Sequence, residues 1–394
     1  MDKVIEKSSS NRLLLHYLDG LRGITALYVV LVHVEADTGQ QLSSFWSMFT
    51  RAFKYGGFAV GIFVALSGYV LMLPVSRSEK GYLPGTLNDF FKRRSRRILP
   101  PYYAAIIFCI LIALVVYLLE QFTTFQWDRF AGKGHFYPHF SFIDLLSHLL
   151  LVHNLSPATY RSINPPMWSV ATEWQIYFIF PLVLLPIWRR FGLLASVFTA
   201  FLVGLSSVYF LNGLFDSTSL WYIGIFSLGM VAAEIGFSKK VKLVELRKSL
   251  PWGLLCIIFI IIAFITEWRK LGLHIWVGNS FFGVAIACLF IYCTNSIIDE
   301  KKAPLILKIF EHPFAITIGT FSYSLYLTHG PILTLLRYWL FNMELPANVF
   351  LGSSYLLGTI ASIIFAYVFY LLFERPFMSK FQKKSEVKAQ ESVS

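Results

Sequence analysis

The stretch Leu18–Asp37, LDGLRGITALYVVLVHVEAD, decides how the rest of the chain is read. It is apolar enough for a membrane helix, yet it carries Arg22 and His33. Eleven residues make close to three turns of α-helix, so the guanidinium and the imidazole fall on one side of the rod, about 16 Å apart along it. An ionisable side chain deep in a bilayer costs at least a few kcal/mol and therefore faces a bundle interior or a polar cavity. A hydrogen-bonded core histidine and an arginine reaching for the interface account for the pair as well as a functional site does.

Composition points the same way. Of 394 residues, 56% are hydrophobic and 14% charged, about half the charged share of a soluble domain, and mean hydropathy is +0.62. The 38 Phe, 20 Tyr and 10 Trp suit a helical bundle with rings near both interfaces. A formal charge of +12 would fit nucleic acid, but Lys and Arg occupy short gaps between apolar runs, so no nucleic-acid partner is expected. Cys109, Cys256, Cys288 and Cys293 sit in or beside apolar segments without ligand spacing, which predicts buried thiols and no metal site. The first apolar run follows a polar tail and lacks a small-residue cleavage site, so it is expected to direct insertion without being removed.

Ten apolar segments of membrane length predict an all-α, polytopic bundle. After the first they run approximately Gly57–Val75, Ile98–Leu119, Trp168–Trp188, Phe191–Leu211, Ser219–Phe237, Leu250–Ile265, Ile275–Tyr292, Phe314–Leu340 and Val349–Phe373. With Arg22 set aside, 25 Lys and Arg fall in the tails and even-numbered gaps and 8 on the other side, which predicts cytoplasmic termini. The expected organisation is a cytoplasmic tail over residues 1–12, a membrane domain over 13–378 and a disordered cytoplasmic tail over 379–394. The outer loop Glu120–Met167 includes the amphipathic run Ile143–Val152, suited to lie along the surface and shape an external acceptor site.

Five further stretches bear on chemistry or pairing. In FFKRRSRRILPPYY, Arg93 and Arg97 at i, i+4 share a helix face, and paired guanidinium forks suit phosphate; juxtamembrane arginines also set topology and bind anionic lipid. In WSVATEWQIYFIFP, Glu173 follows the interface residue Trp168 and fits an orienting role better than that of a base. In IGTFSYSLYLTHGPI, hydroxyls suit helix packing, Pro331 a kink, and His329 is the candidate for function. Ser67 in FVALSGYVL lacks the elbow of a nucleophilic serine, so close packing explains it better. Glu374 in FERPF is expected to pair with the basic cluster.

Taken together and in order, LDGLRGITALYVVLVHV, IFVALSGYVL, RRSRRILPPY, WSVATEWQIYFIFP, FSYSLYLTHGPIL and FERPF resemble the membrane-bound acyltransferase family 3, which includes O-acetyltransferases of bacterial surface polysaccharide and peptidoglycan. The resemblance covers nearly the whole membrane region and implies that His33 is the catalytic histidine, with Arg22, Arg93 and Arg97 at the acyl-donor site. Trp168, Glu173, Ser67 and His329 are then orienting or acceptor-side residues. Many relatives carry an extracellular hydrolase-like domain; this chain resembles the stand-alone form. The expected function is transfer of an acyl group, acetyl by resemblance, from cytoplasmic acyl-CoA to a hydroxyl of a glycan or other cell-envelope acceptor. His33 serves as base or acyl carrier, acyl-CoA is co-substrate, and no cofactor is bound. Membrane lipid is the other expected partner, and a bacterial plasma membrane the expected location. The rival classes are a proton-coupled transporter or flippase, with His33, Glu173 and His329 as relay, and an acyl-donor sensor without turnover.

Overall fold

The structure is a computed structural model and describes residues 15–34, 42–78, 80–127, 135–299 and 303–378. The two tails expected at 1–12 and 379–394 lie outside the described residues, as does the end of the opening stretch from Glu35. Among the described residues the regular structure is helical: α1 (His16–His33), α2 (Ser44–Arg51), α3 (Gly56–Ser76), α4 (Leu87–Phe122), α5 (Phe142–Leu149), α6 (Trp168–Ile179), α7 (Leu185–Phe191), α8 (Leu193–Gly204) and α9 (Ser206–Tyr209). There follow α10 (Tyr222–Phe237), α11 (Val241–Ser249), α12 (Trp252–Thr266), α13 (Ile275–Ile298), α14 (Leu305–Phe310), α15 (Pro313–Thr320), α16 (Ser322–Phe341) and α17 (Ala347–Phe369). This is the all-α class expected.

Among the described residues, six stretches are long and apolar enough to cross a membrane alone, or up to seven if the bent pair α11 and α12 is one span. The molecule is a multi-pass membrane protein, with large apolar side chains such as Leu111, Ile257 and Ile364 exposed where lipid would cover them. The expected segments differ from the helices in three places. Phe191–Leu211 yields the 12-residue α8 and the short α9, and Phe314–Leu340 is broken at Phe321 between α15 and α16. The third apolar segment begins at Leu87 rather than Ile98, because a capping box starts the helix early: Asp89 N–H donates to Thr86 Oγ1 (3.1 Å) and Thr86 N–H to Asp89 Oδ2 (2.9 Å). The basic run Lys92–Arg97 is therefore helical.

Glycines let the helices that carry the site approach backbone to backbone. A Cβ at Gly23 of α1 would stand 2.2 Å from Ala315 O, and one at Gly319 of α15 2.0 Å from Asp19 O. The α3–α10 crossing is built the same way, with Gly68 against Phe226 O and Gly229 against Ala65 O. Glu374 Oε2 accepts from Ser324 N–H (3.1 Å) and Ser324 Oγ (2.5 Å). A carboxylate thus satisfies a free N–H in the first turn of α16, where the helix dipole favours it. The four thiols are buried and free.

The loop between α4 and α6 is tied down over the bundle. Tyr102 Oη donates to His148 O (2.9 Å), His135 N–H to Thr334 Oγ1 (3.0 Å) and Asn164 Nδ2 to Leu327 O (2.8 Å). The expected amphipathic run forms α5, with Phe142 and Ile143 exposed.

Candidate active site

Two neighbouring constellations lie along α1, one around Arg22 and one around His33. The first is a cavity of about 90 Å³ among α1, α3, α4, α6 and α16, lined by Arg22, Ser67, Arg94, Arg97, Glu173, Tyr177, Tyr323 and Tyr326 with apolar side chains between. Glu173 Oε1 accepts from Ser67 Oγ and from Tyr177 Oη (2.6 Å), so its carboxylate is held by two hydroxyls. Arg22 Nη1 donates to Asp19 Oδ1 at 2.9 Å, and the Arg94 guanidinium stands 6.0 Å from the Tyr177 ring centroid. Three guanidinium groups thus line the cavity with one carboxylate, Glu173, while Asp19 pairs with Arg22 from outside the lining, and Arg94 Nε is buried without an acceptor. Excess partly buried positive charge with an unpaired donor is an anion site in chemical terms.

The structure brings Arg22, Arg97, Ser67 and Glu173 together and leaves Arg93 and Trp168 outside the cavity lining. Arg93 is exposed and donates through Nη2 to Pro84 O (2.8 Å), while Trp168 packs on Tyr222 with ring centroids 5.9 Å apart. At about 100° per residue, Arg93 stands to one side of Arg97 and Arg94 to the other, and the cavity lies on the Arg94 side. Sequence spacing admits either partner for Arg97; which one turns inward depends on the rotation of α4.

The second constellation is a set of three imidazoles. His33 Nδ1 lies 2.8 Å from His329 Nε2, with the rings stacked at 5.0 Å, and the His135 ring lies 4.3 Å from that of His33. His329 Nδ1 is 3.0 Å from Leu325 O, and a carbonyl can only accept, so Nδ1 carries the proton. In a neutral ring Nε2 is then the acceptor and takes the Nδ1–H of His33. The lone pair of His33 is thereby left on Nε2, the tautomer a general base needs. His135 Nε2 and Asn164 Oδ1 are buried without partners, and both residues reach α16 beside Gly330: a Cβ there would meet His135 O at 2.6 Å and Asn164 Oδ1 at 2.7 Å. Burial above all, then His329 and the charges of Arg337 and Arg161, push His135 in its loop down to about 3, so it is neutral at ordinary pH.

Tyr326 stands between the two constellations. It lines the cavity, its ring is 5.7 Å from that of His329, and its hydroxyl is fixed by Ser169 Oγ (2.6 Å) and Pro166 O (3.0 Å). Phe63, also in the lining, meets the Tyr326 ring edge-on at 5.8 Å. The three histidines are not part of the cavity lining. Sequence reasoning places Arg22 and His33 on one helix but contains no signal for this aromatic wall, nor for His135 and Asn164, which reach the site only through long-range contacts.

The order of these motifs along the helices agrees with a family model described as "Acyltransferase domain", which matches residues 15–371. The chain belongs to the acyltransferase 3 family. The match spans both constellations. Among curated proteins it is similar to O-acetyltransferase OatA of Staphylococcus aureus strains NCTC 8325 / PS 47 and COL, each 26% identical over 93% of this chain and 58% of the relative. A further relative from strain COL is 26% identical over 91% of this chain and 56% of its own length. The chain thus spans little more than half the length of these acyltransferase relatives. No solved structure matches it.

Proposed function

We propose that the chain is a membrane O-acetyltransferase that takes an acetyl group from cytoplasmic acyl-CoA and gives it to a hydroxyl of a cell-envelope glycan. The observation that carries this reading is the hydrogen-bonded order Leu325 O, His329, His33, which leaves an unprotonated Nε2 on His33. The names of the relatives support acetyl as the group and oxygen as the acceptor atom. Ten spans with cytoplasmic termini follow if α1, α3, α4, α6–α7, α8–α9, α10, α12, α13, α15–α16 and α17 are each taken as one crossing, in agreement with the 25 to 8 split of Lys and Arg. A bacterial plasma membrane suits relatives from S. aureus.

Acyl-CoA is too highly charged to cross a bilayer, so its anionic part stays with Arg22, Arg94 and Arg97 while the thioester reaches toward His33. The donor passes Tyr326 by displacing its ring from Ser169 and Pro166. An acceptor hydroxyl entering from the loop side meets the unpaired atoms of His135 and Asn164. His33 Nε2 takes the hydroxyl proton as its oxygen bonds to the acyl carbon; the carbon–sulfur bond breaks, and the proton passes to the departing thiolate. His329 accepts from Nδ1–H throughout and stabilises the imidazolium, as the orienting member of a triad does.

The test is purified protein in nanodiscs supplied with labelled acetyl-CoA and candidate glycan acceptors. Label recovered as an ester on the acceptor is the expected result. Movement of a substrate without acylation, or donor binding without turnover, would replace this reading with the transporter or the sensor.

A further inference from the structure

A second cavity, of about 650 Å³, opens where α3, α7 and α10 end, and it shares no lining residue with the arginine cavity. Five cations line it, Arg77, Lys80, Arg189, Lys239 and Lys240, against the carboxylate of Glu234 among the described residues. Glu234 is buried and its Oε1 is held by Lys240 Nζ at 3.2 Å. Arg189 lies 4.5 Å above the Tyr82 ring, and Lys240 also lies 5.5 Å from the Trp188 ring. A guanidinium stacked on a ring keeps its in-plane N–H donors for another acceptor. Ser76 Oγ, also in the lining, is buried with no partner.

Basic residues at a membrane boundary commonly do no more than set topology, but that role needs no walls. Here the wall is built. Gly81 has φ +64°, and a Cβ on it would stand 2.8 Å from the Trp188 ring, so a glycine both permits the turn and seats it on the indole. We propose that this cavity binds a phosphate ester, which accepts in-plane from Arg189, pairs with Lys80 and takes the Ser76 hydroxyl. The ester has two available sources, a soluble nucleotide or an anionic lipid headgroup. Along α3 the cavity begins about 8 Å beyond the last residue lining the arginine cavity, at 1.5 Å per residue from Val70 to Val75. The inference does not depend on acyl transfer.

Full-length protein in phosphatidylcholine nanodiscs is titrated with adenosine 3′,5′-bisphosphate, and protein purified from phosphatidylglycerol vesicles is weighed by native mass spectrometry. One probe is expected to show in wild type, apart from any binding at the arginine cavity, a component that is lost from Lys80→Ala/Arg189→Ala, with about tenfold weakening for each cation removed. Lys80→Arg/Arg189→Lys, which keeps the charges, is expected to retain most of the binding and shows that a loss is not unfolding. Arg94→Ala, in the other cavity, is expected to leave the second cavity's share of binding intact. Saturation by the nucleotide identifies the soluble source, and selective retention of phosphatidylglycerol identifies the headgroup. Failure of both probes to bind wild type up to about 10 mM, or equal binding in wild type and the double alanine variant, overturns the proposal.

Discussion

His329→Ala removes the acceptor of the 2.8 Å hydrogen bond from His33 Nδ1 and nothing else that touches the reacting atoms. The donor left behind is partly buried, and stranding such a group costs about 1–3 kcal/mol. If that cost falls on the transition state, at about 1.4 kcal/mol per decade, transfer slows by about 5- to 150-fold. His33→Ala removes the base itself and should cost about 10²–10⁴-fold, the range for a positioned proton acceptor. The glutamine side chain can place its amide oxygen near the position of Nε2, so His329→Gln should recover to within about fivefold of wild type. The assay is ester-bound acetate formed by membrane vesicles from labelled acetyl-CoA, with size-exclusion profiles to confirm that each variant is folded. Wild-type rates in His329→Ala, or a His329→Gln variant as inactive as His33→Ala, would refute the tautomer argument.

Three other outcomes follow from the geometry. Arg94→Ala and Arg97→Ala should each weaken acetyl-CoA binding about tenfold or more, by loss of a charge-assisted contact, while Arg93→Ala, whose side chain points to Pro84, should stay within about twofold in a direct titration. Gly23→Val puts carbon atoms 2.2 Å from Ala315 O at the α1–α15 crossing and should abolish a monodisperse peak in detergent, whereas Val32→Ala on the same helix should not. The buried loop histidines titrate in a predictable direction: His135 is pushed down to about 3 and His148 to about 4, both chiefly by burial, against an ordinary value of about 6.5. Because the unfolded chain takes up these protons first, stability present above about pH 6.5 is lost as pH falls toward those lower values. The melting temperature in detergent should therefore be lower at pH 5 than at pH 7.5, by a smaller margin in His135→Gln.

Much of the framework was legible because a bilayer penalises charge. Arg22 and His33 stand out in an apolar run for that reason alone, and the structure turns both toward protein: Arg22 to the cavity and His33 to His329 and His135. His329 was visible for the same reason within a run of hydroxyls. The start of α4 was also open to inspection, since Thr86 and Asp89 form a capping box three residues apart, but the apolar run beginning at Ile98 drew the boundary inward. What could not be read is whatever depends on helix rotation or on distant contacts. Arg94 and Arg93 are adjacent in sequence and differ only in the face that α4 presents. His135 and Asn164 come from a loop whose position is set by Thr334 and Leu327, more than 160 residues away. The wall made by Tyr326 is a tertiary fact of the same kind.

The central claim is that His33 Nε2 is the proton acceptor in acyl transfer, and a single-turnover measurement tests it most directly. Wild type and His33→Ala, each saturated with labelled acetyl-CoA in nanodiscs and mixed with acceptor, are compared for bound donor and for ester formed. The account predicts equal donor occupancy and at least about a hundredfold loss of ester formation in the variant. Ester formed by His33→Ala at the wild-type rate would contradict it.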